Sequence, residues 1–310
     1  MKKPNVIKLD KQGFCYGVKR SLKIVQNAVY DPSIPKPIYL LGNVVHNQHI
    51  HNYLTNLGVI VIEGENRLEM LDQIPNNSTV LFSAHGVSDK VREKAAKKNL
   101  NTIDATCPYV DATFRLVEKA SLENDILFIG KSNHPETEAI LELSDHAYLV
   151  DPKNIYIKGL NEDHVLVAHQ TTMSCYDIDN LFEQIKTVYP KAKKLDMICR
   201  VTENRQTELK YIDSLEFSTP ALIIVVGDKK SNNSTKLYEL AKRSTKCDAM
   251  FIESVSELNL KSIRKYETII IASGTSTPLA IINEIENTIN SLDKITDEYI
   301  ESKISLDELV

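Results

Sequence analysis

The chain has 310 residues, 42% of them hydrophobic and 25% charged, with 10 Gly, 11 Pro and 5 Cys. That length suits two or three domains, and the balance excludes collagen-like, low-complexity and disordered classes. The formal net charge of −5 offers no basic excess for nucleic acid or an anionic membrane, and no apolar run reaches the roughly 18–20 residues of a membrane span.

The N-terminus, Met1-Lys2-Lys3-Pro4-Asn5, has no apolar stretch and predicts no secretory signal. An odd number of cysteines in a long chain predicts reduced thiols in a cytosol-like compartment. After Cys15, the residues Val18, Leu22, Val25 and Val29 recur at helical steps and predict one buried helix face. Ile38-Tyr39-Leu40-Leu41-Gly42 then reads as a buried strand ending in glycine, with His46 four residues on. A second apolar run, Val80-Leu81-Phe82, leads into Ser83-Ala84-His85-Gly86. After Cys107, Pro108 suits a first helical turn, and Val110, Phe114 and Val117 continue the apolar face.

The same order then returns. Ile126-Leu127-Phe128-Ile129-Gly130 has His134 four residues later, and Val165-Leu166-Val167 runs into Ala168-His169-Gln170-Thr171-Thr172. Leu222 to Gly227 has Ser231 four residues later, and Ile269-Ile270-Ile271 runs into Ala272-Ser273-Gly274-Thr275-Ser276. Cys15, Cys107 and Cys199 stand at equal intervals of 92 residues (107 − 15 and 199 − 107). The pattern predicts an α/β protein of three similar units with small, mainly parallel sheets: residues 1–103, 104–195 and 196–285, followed by an acidic, amphipathic C-terminal arm, 286–310. In open parallel sheets ligands bind beyond the carboxyl ends of the strands, where every polar cluster above falls.

One in-register cysteine per unit suggests three sulfurs for one inorganic centre. Soft thiolates suit zinc, copper(I) or iron–sulfur groups. Structural zinc commonly uses close C-x-x-C pairs, which this chain lacks, whereas three thiolates match three corners of a [4Fe–4S] cube. Plain buried cysteine is the alternative for these three, and Cys175 and Cys247 are expected to be plain core or surface thiols. His46, His85 and His134 suggest a hydrogen-bonding pocket. Ser231-Asn232-Asn233-Ser234 and Thr275-Ser276 offer hydroxyl, amide and helix N-terminal donors for phosphate, without a Walker pattern. Glu136, two residues after His134, is a proton donor if buried among strands and otherwise an ordinary first-turn glutamate.

Gly13-Phe14-Cys15-Tyr16-Gly17-Val18, Val45-His46-Asn47, Ser83-Ala84-His85-Gly86-Val87 and Asp104-Ala105-Thr106-Cys107-Pro108 occur in order. His134-Pro135-Glu136, Gln170-Thr171-Thr172, Ile198-Cys199 and Asn204-Arg205-Gln206 follow them. With these motifs the chain resembles the 4-hydroxy-3-methylbut-2-enyl diphosphate reductases, the LytB/IspH family, from residue 13 to about 280. The resemblance implies a pseudo-threefold trefoil around one [4Fe–4S] cluster per chain, ligated by Cys15, Cys107 and Cys199. It implies reductive dehydroxylation of the diphosphate substrate to isopentenyl and dimethylallyl diphosphates, the last step of the non-mevalonate pathway. Substrate binding then falls to His46, His85, His134, Thr171, Ser231, Asn232, Asn233 and Ser276, and proton donation to Glu136. Ferredoxin or flavodoxin is the expected electron donor. The expected location is cytoplasmic, or a plastid-type organelle if a leader is removed.

The chain departs from the family pattern at Asn133 and Ala139, where glycines are frequent, at Asn232 in the phosphate loop, and at Leu279, where an acidic residue is usual. Two other classes compete. One is a non-catalytic phosphometabolite- or metal-binding protein; the other is an iron–sulfur hydratase-type lyase that needs no external electrons.

Overall fold

The computed structural model describes residues 3–309 apart from 198, 213, 216, 218–219 and 244–245. Ile198 of the Ile198-Cys199 pair therefore lies outside the described residues. The first third of the chain runs β1 (Asn5–Lys8), α1 (Tyr16–Tyr30), β2 (Ile38–Leu41), α2 (Gln48–Asn56), β3 (Ile60–Ile62), α3 (Arg67–Asp72), β4 (Thr79–Phe82), α4 (Asp89–Lys97) and β5 (Asn101–Asp104). The middle third continues with α5 (Pro108–Ala120), β6 (Asp125–Ile129), α6 (Pro135–Leu143), β7 (Ala147–Leu149), β8 (Val165–His169), α7 (Cys175–Val188) and β9 (Lys193–Lys194). The last third holds α8 (Val201–Ile212), β10 (Ala221–Val226), α9 (Asn232–Ala241), β11 (Cys247–Ile252), α10 (Leu260–Ile263), β12 (Thr268–Ser273) and α11 (Leu279–Asn290).

The strands form three four-stranded, wholly parallel sheets, ordered β3-β2-β4-β5, β7-β6-β8-β9 and β11-β10-β12-β1. The order is the same each time, except that the last position of the third sheet is taken by the N-terminal strand. β1 pairs with β12 in the register Asn5↔Thr268 to Lys8↔Ile271. The predicted strands at 38–41, 80–82, 126–129, 165–167, 222–226 and 269–271 are all present. They are continuous apolar runs because helices cover both faces. In β6, Leu127 and Ile129 enter one core with Val165 and Ile185, whereas Ile126 and Phe128 enter another with Val117 and Ile140. The predicted helix after Cys15 is α1, which buries Val18, Leu22, Val25 and Ala28 and leaves Val29 half-buried.

The chain folds as two compact units. One contains residues 1–16, 45–53 and 201–310, and thus the third sheet; the other contains residues 17–44 and 54–200, and thus the first two sheets. In the first unit, α11 carries the chain to Asn290, and the remainder runs as an arm rather than a long helix. Leu260 N–H donates to Glu298 O at 2.8 Å, Ser302 Oγ to Glu284 Oε2 at 2.7 Å, and Leu309 is buried. No helix among the described residues is long and apolar enough to cross a membrane.

Candidate functional site

Each of the three regular cysteines follows the fourth strand of a sheet and precedes a helix: β1 and α1 for Cys15, β5 and α5 for Cys107, β9 and α8 for Cys199. The local pinning repeats as well. Cys15 N–H donates to Thr275 O at 3.2 Å, and Cys107 N–H to Ala84 O at 3.0 Å. Both acceptors lie two residues beyond the third strand of their sheet. Cys107 is the N-cap of α5. All five cysteines are thiols rather than disulfides. Cys15 belongs to one unit and Cys107 and Cys199 to the other. Among the described residues, no group of three His, Cys, Asp or Glu side chains stands ready to hold a metal ion. Cys175 opens α7 and Cys247 opens the edge strand β11, so neither occupies a cysteine loop.

The unit containing the first two sheets holds an acid site. Gly130 ends β6 because a Cβ there would lie 2.6 Å from Thr137 Oγ1 in the following helix. His134 caps that helix, its Nδ1 accepting from Glu136 N–H at 3.2 Å, which leaves Nε2 as the protonated nitrogen in the neutral ring. His85 meets the His134 ring edge-on, with centroids 5.3 Å apart. Glu136 is 1% exposed. Its Oε1 accepts from Thr171 N–H and its Oε2 from Thr171 Oγ1, both at 2.9 Å. Burial opposes the carboxylate more than these two donors favour it, so the pKa rises to about 7. Thr171 is itself fixed by its neighbour. Gln170 N–H donates to Ile129 O at 2.8 Å, and Gln170 Oε1 accepts from Lys131 N–H at 3.0 Å, tying the ends of β6 and β8 together.

The other unit holds a neutral cradle. Gly227 ends β10 where a Cβ would lie 2.4 Å from Ser234 Oγ. Ser231 caps α9, accepting from Ser234 N–H at 3.4 Å, and Ser276 Oγ donates to Ser231 Oγ at 3.1 Å. Asn232 and Asn233 are buried in the first turn, and Asn233 Nδ2 has no protein acceptor. A buried amide donor without a partner is costly unless a ligand supplies one. His46 lies in the same unit, exposed, just before α2.

The Asn204-Arg205-Gln206 motif has no role legible from sequence alone; the fold supplies one. Arg205 is buried and donates to Ser273 O at 2.7 Å and to Gly13 O at 2.6 Å, so it fastens the Cys15 loop to the end of β12. Burial lowers its pKa to about 10, while the neighbouring Cys15 and Glu208 act the other way. Thr171, expected at the substrate, directs both its N–H and its hydroxyl to Glu136. Ala139 is fully enclosed in α6, and Leu279 packs over Gly13, 3.5 Å from the position of a Cβ there.

The model of the family described as LytB protein matches residues 6–290. The chain is 36% identical over 310 residues to the 4-hydroxy-3-methylbut-2-enyl diphosphate reductase of Lysinibacillus sphaericus, covering 98% of this chain and 94% of that one. It is 40% identical over 284 residues to the enzyme of the same name from Bacillus pumilus, covering 91% and 89%. Among solved structures, the E-1-hydroxy-2-methyl-but-2-enyl-4-diphosphate reductase from Plasmodium falciparum has a TM-score of 0.80 at 30% identity, over 92% of this chain and 88% of that one. A second, the (E)-4-hydroxy-3-methyl-but-2-enyl diphosphate reductase described as the terminal enzyme of the non-mevalonate pathway, has a TM-score of 0.64 at 28% identity, over 94% and 100%. The family match, the near-complete coverage and the shared sheets agree: the chain belongs to the LytB family.

Proposed function

We propose that this chain reduces (E)-4-hydroxy-3-methylbut-2-enyl diphosphate to isopentenyl and dimethylallyl diphosphates, consuming two electrons and two protons and releasing the hydroxyl oxygen as water. The observation that carries this reading is Glu136, a buried carboxyl two residues from the His134 helix cap, held by Thr171 and raised by burial to a pKa of about 7. Such a group carries its proton in a substantial fraction of molecules near neutral pH and is acidic enough to deliver it.

The donor set fits a [4Fe–4S] cluster held by Cys15, Cys107 and Cys199. There is one thiol in each of three equivalent loops, each preceding a helix, and no fourth cysteine in such a loop. When bound, such a cluster would supply the electrons and a Lewis-acidic iron without a protein ligand. The remaining work belongs to the side chains. Glu136 protonates the departing hydroxyl, because water leaves more readily than hydroxide. Thr171, donating to both carboxylate oxygens, stabilises the anion that results and holds the carboxyl in one orientation. The diphosphate is held by Ser231, Asn232, Asn233 and Ser276 with His46, His85 and His134, through hydroxyl, amide and imidazole donors rather than a lysine clamp. Asn233 Nδ2 finds its acceptor there. Fixing the diphosphate places the allylic alcohol and limits its freedom before electrons arrive. A ferredoxin or flavodoxin is the electron source in this reading.

The test is anaerobic turnover with a chemical reductant, with iron and sulfide determined on the same sample. The two isopentenyl products and four irons per chain are expected. A colourless zinc protein that forms no product, or turnover without a reductant, defeats the proposal.

A further inference from the structure

We propose that Asp228 is a positioning residue that locks the His46 segment onto the diphosphate cradle. The inference rests on the reading of that cradle given above. Asp228 lies one residue beyond Gly227, at the end of β10, and is 7% exposed. Its carboxylate spans two segments 180 residues apart in sequence. Oδ2 accepts from Gln48 N–H, the first residue of α2, at 3.1 Å. Oδ1 accepts from Lys230 N–H at 2.7 Å, and Asp228 O accepts from Ser231 N–H at 3.0 Å. One residue thus fixes the turn that presents Ser231 and also the helix start that follows His46.

The second anchor of that helix start is local. Asn47 Oδ1 accepts from Ile50 N–H at 3.2 Å, so two different acceptors fill two of the orphan donors of α2. Asn47 holds the segment to its own helix; Asp228 holds it to the cradle. A carboxylate three residues from Ser231 is otherwise a poor choice for an anion site, because it repels the diphosphate. Its presence there is explained by the two backbone donors it gathers and by the favourable N-terminal end of α2.

This conflict gives the test a sign. Titration of inorganic diphosphate into the anaerobically loaded protein is compared for the parent, D228A, D228N, H46A, S231A and the D228A/H46A pair. If Asp228 positions, D228A weakens diphosphate about ten-fold, roughly the worth of one charge-assisted hydrogen bond. D228N then weakens it less, since it keeps one acceptor. The H46A penalty shrinks in the D228A background, and KM rises while kcat stays within about two-fold.

A second variant tests the same bond from the other side. Q48P deletes the donated N–H at a first helical position, where proline is tolerated, and is expected to weaken diphosphate in the same direction as D228A but by less, since Asp228 keeps its bond from Lys230 N–H; it reads the bond even if D228A fails to fold. If Asp228 is only a neighbouring negative charge, D228A and D228N bind diphosphate as well as the parent or more tightly, which overturns the proposal. Should H46A and S231A also leave binding unchanged, the cradle reading itself is overturned.

Discussion

The acid site and the neutral cradle are built on the same frame and carry different side chains. Counted from the glycine that ends the strand, Gly130 is followed by His134, Glu136 and Thr137, and Gly227 by Ser231, Asn233 and Ser234 at the same offsets. In both, the first of these caps a helix and the last presses its hydroxyl towards the glycine. The residue in between decides the role. At one place it is a buried carboxyl with two donors from Thr171, at the other an amide with an unfilled donor. The repeated frame is the same, and one side chain at a fixed position differs; in the proposed function that difference separates proton delivery from anion binding.

The sharpest way to break this comparison is to remove the acid and keep its shape. Glu136→Gln is expected to keep the cluster spectrum and lower kcat by about 10²–10⁴-fold, the usual worth of a positioned proton donor. Turnover close to the parent value would show that the two sites do not differ as described. The same variant carries a stability signature. A buried carboxyl with a pKa raised from 4.5 to about 7 binds its proton more tightly folded than unfolded, so the folded protein loses stability as pH climbs through that window. The glutamine variant does not. The gap in its favour should therefore open between about pH 4.5 and 7 and approach about 3 kcal/mol above it, read from urea midpoints across pH.

Next in size are the two glycines. Gly227→Ala and Gly130→Ala each force a hydroxyl away from a Cβ less than 3 Å distant, at an expected cost of about 1–3 kcal/mol in melting experiments. They should part in function, the first raising the diphosphate dissociation constant and the second lowering kcat. Thr171→Val removes one of the two donors that favour ionised Glu136, so the kcat–pH profile should move upward by about one pH unit. The smallest effect is expected from Ser231→Ala, which loses a helix cap worth about 1 kcal/mol in stability and loosens diphosphate.

Much of this was legible in the sequence because it is local. Strands with both faces buried announce themselves as unbroken apolar runs, as Ile126–Ile129 does, and the repeat placed Cys15, Cys107 and Cys199 in equivalent loops. What escaped depends on partners far away in the chain. Nothing in Asn5-Val6-Ile7-Lys8 says that it completes a sheet with residues 221–273. Arg205 and Asp228 read as ordinary charged residues until their acceptors and donors, at Gly13 and Gln48, are seen. Thr171 carried a recognisable motif, yet only the fold shows that its hydroxyl serves a carboxylate. The short edge strands β3, β7 and β9 carry too few residues for any periodicity.

The N-terminal strand bears on biosynthesis. β1 has no partner until β12 exists, and β12 ends at Ser273. While the chain is still on the ribosome, the loop carrying Cys15 leaves the exit tunnel early but lacks its docking carbonyl until Thr275, 260 residues further on (275 − 15), has been made. Closure of the third sheet thus follows the synthesis of β12, and any prosthetic group that draws on all three thiols waits for it.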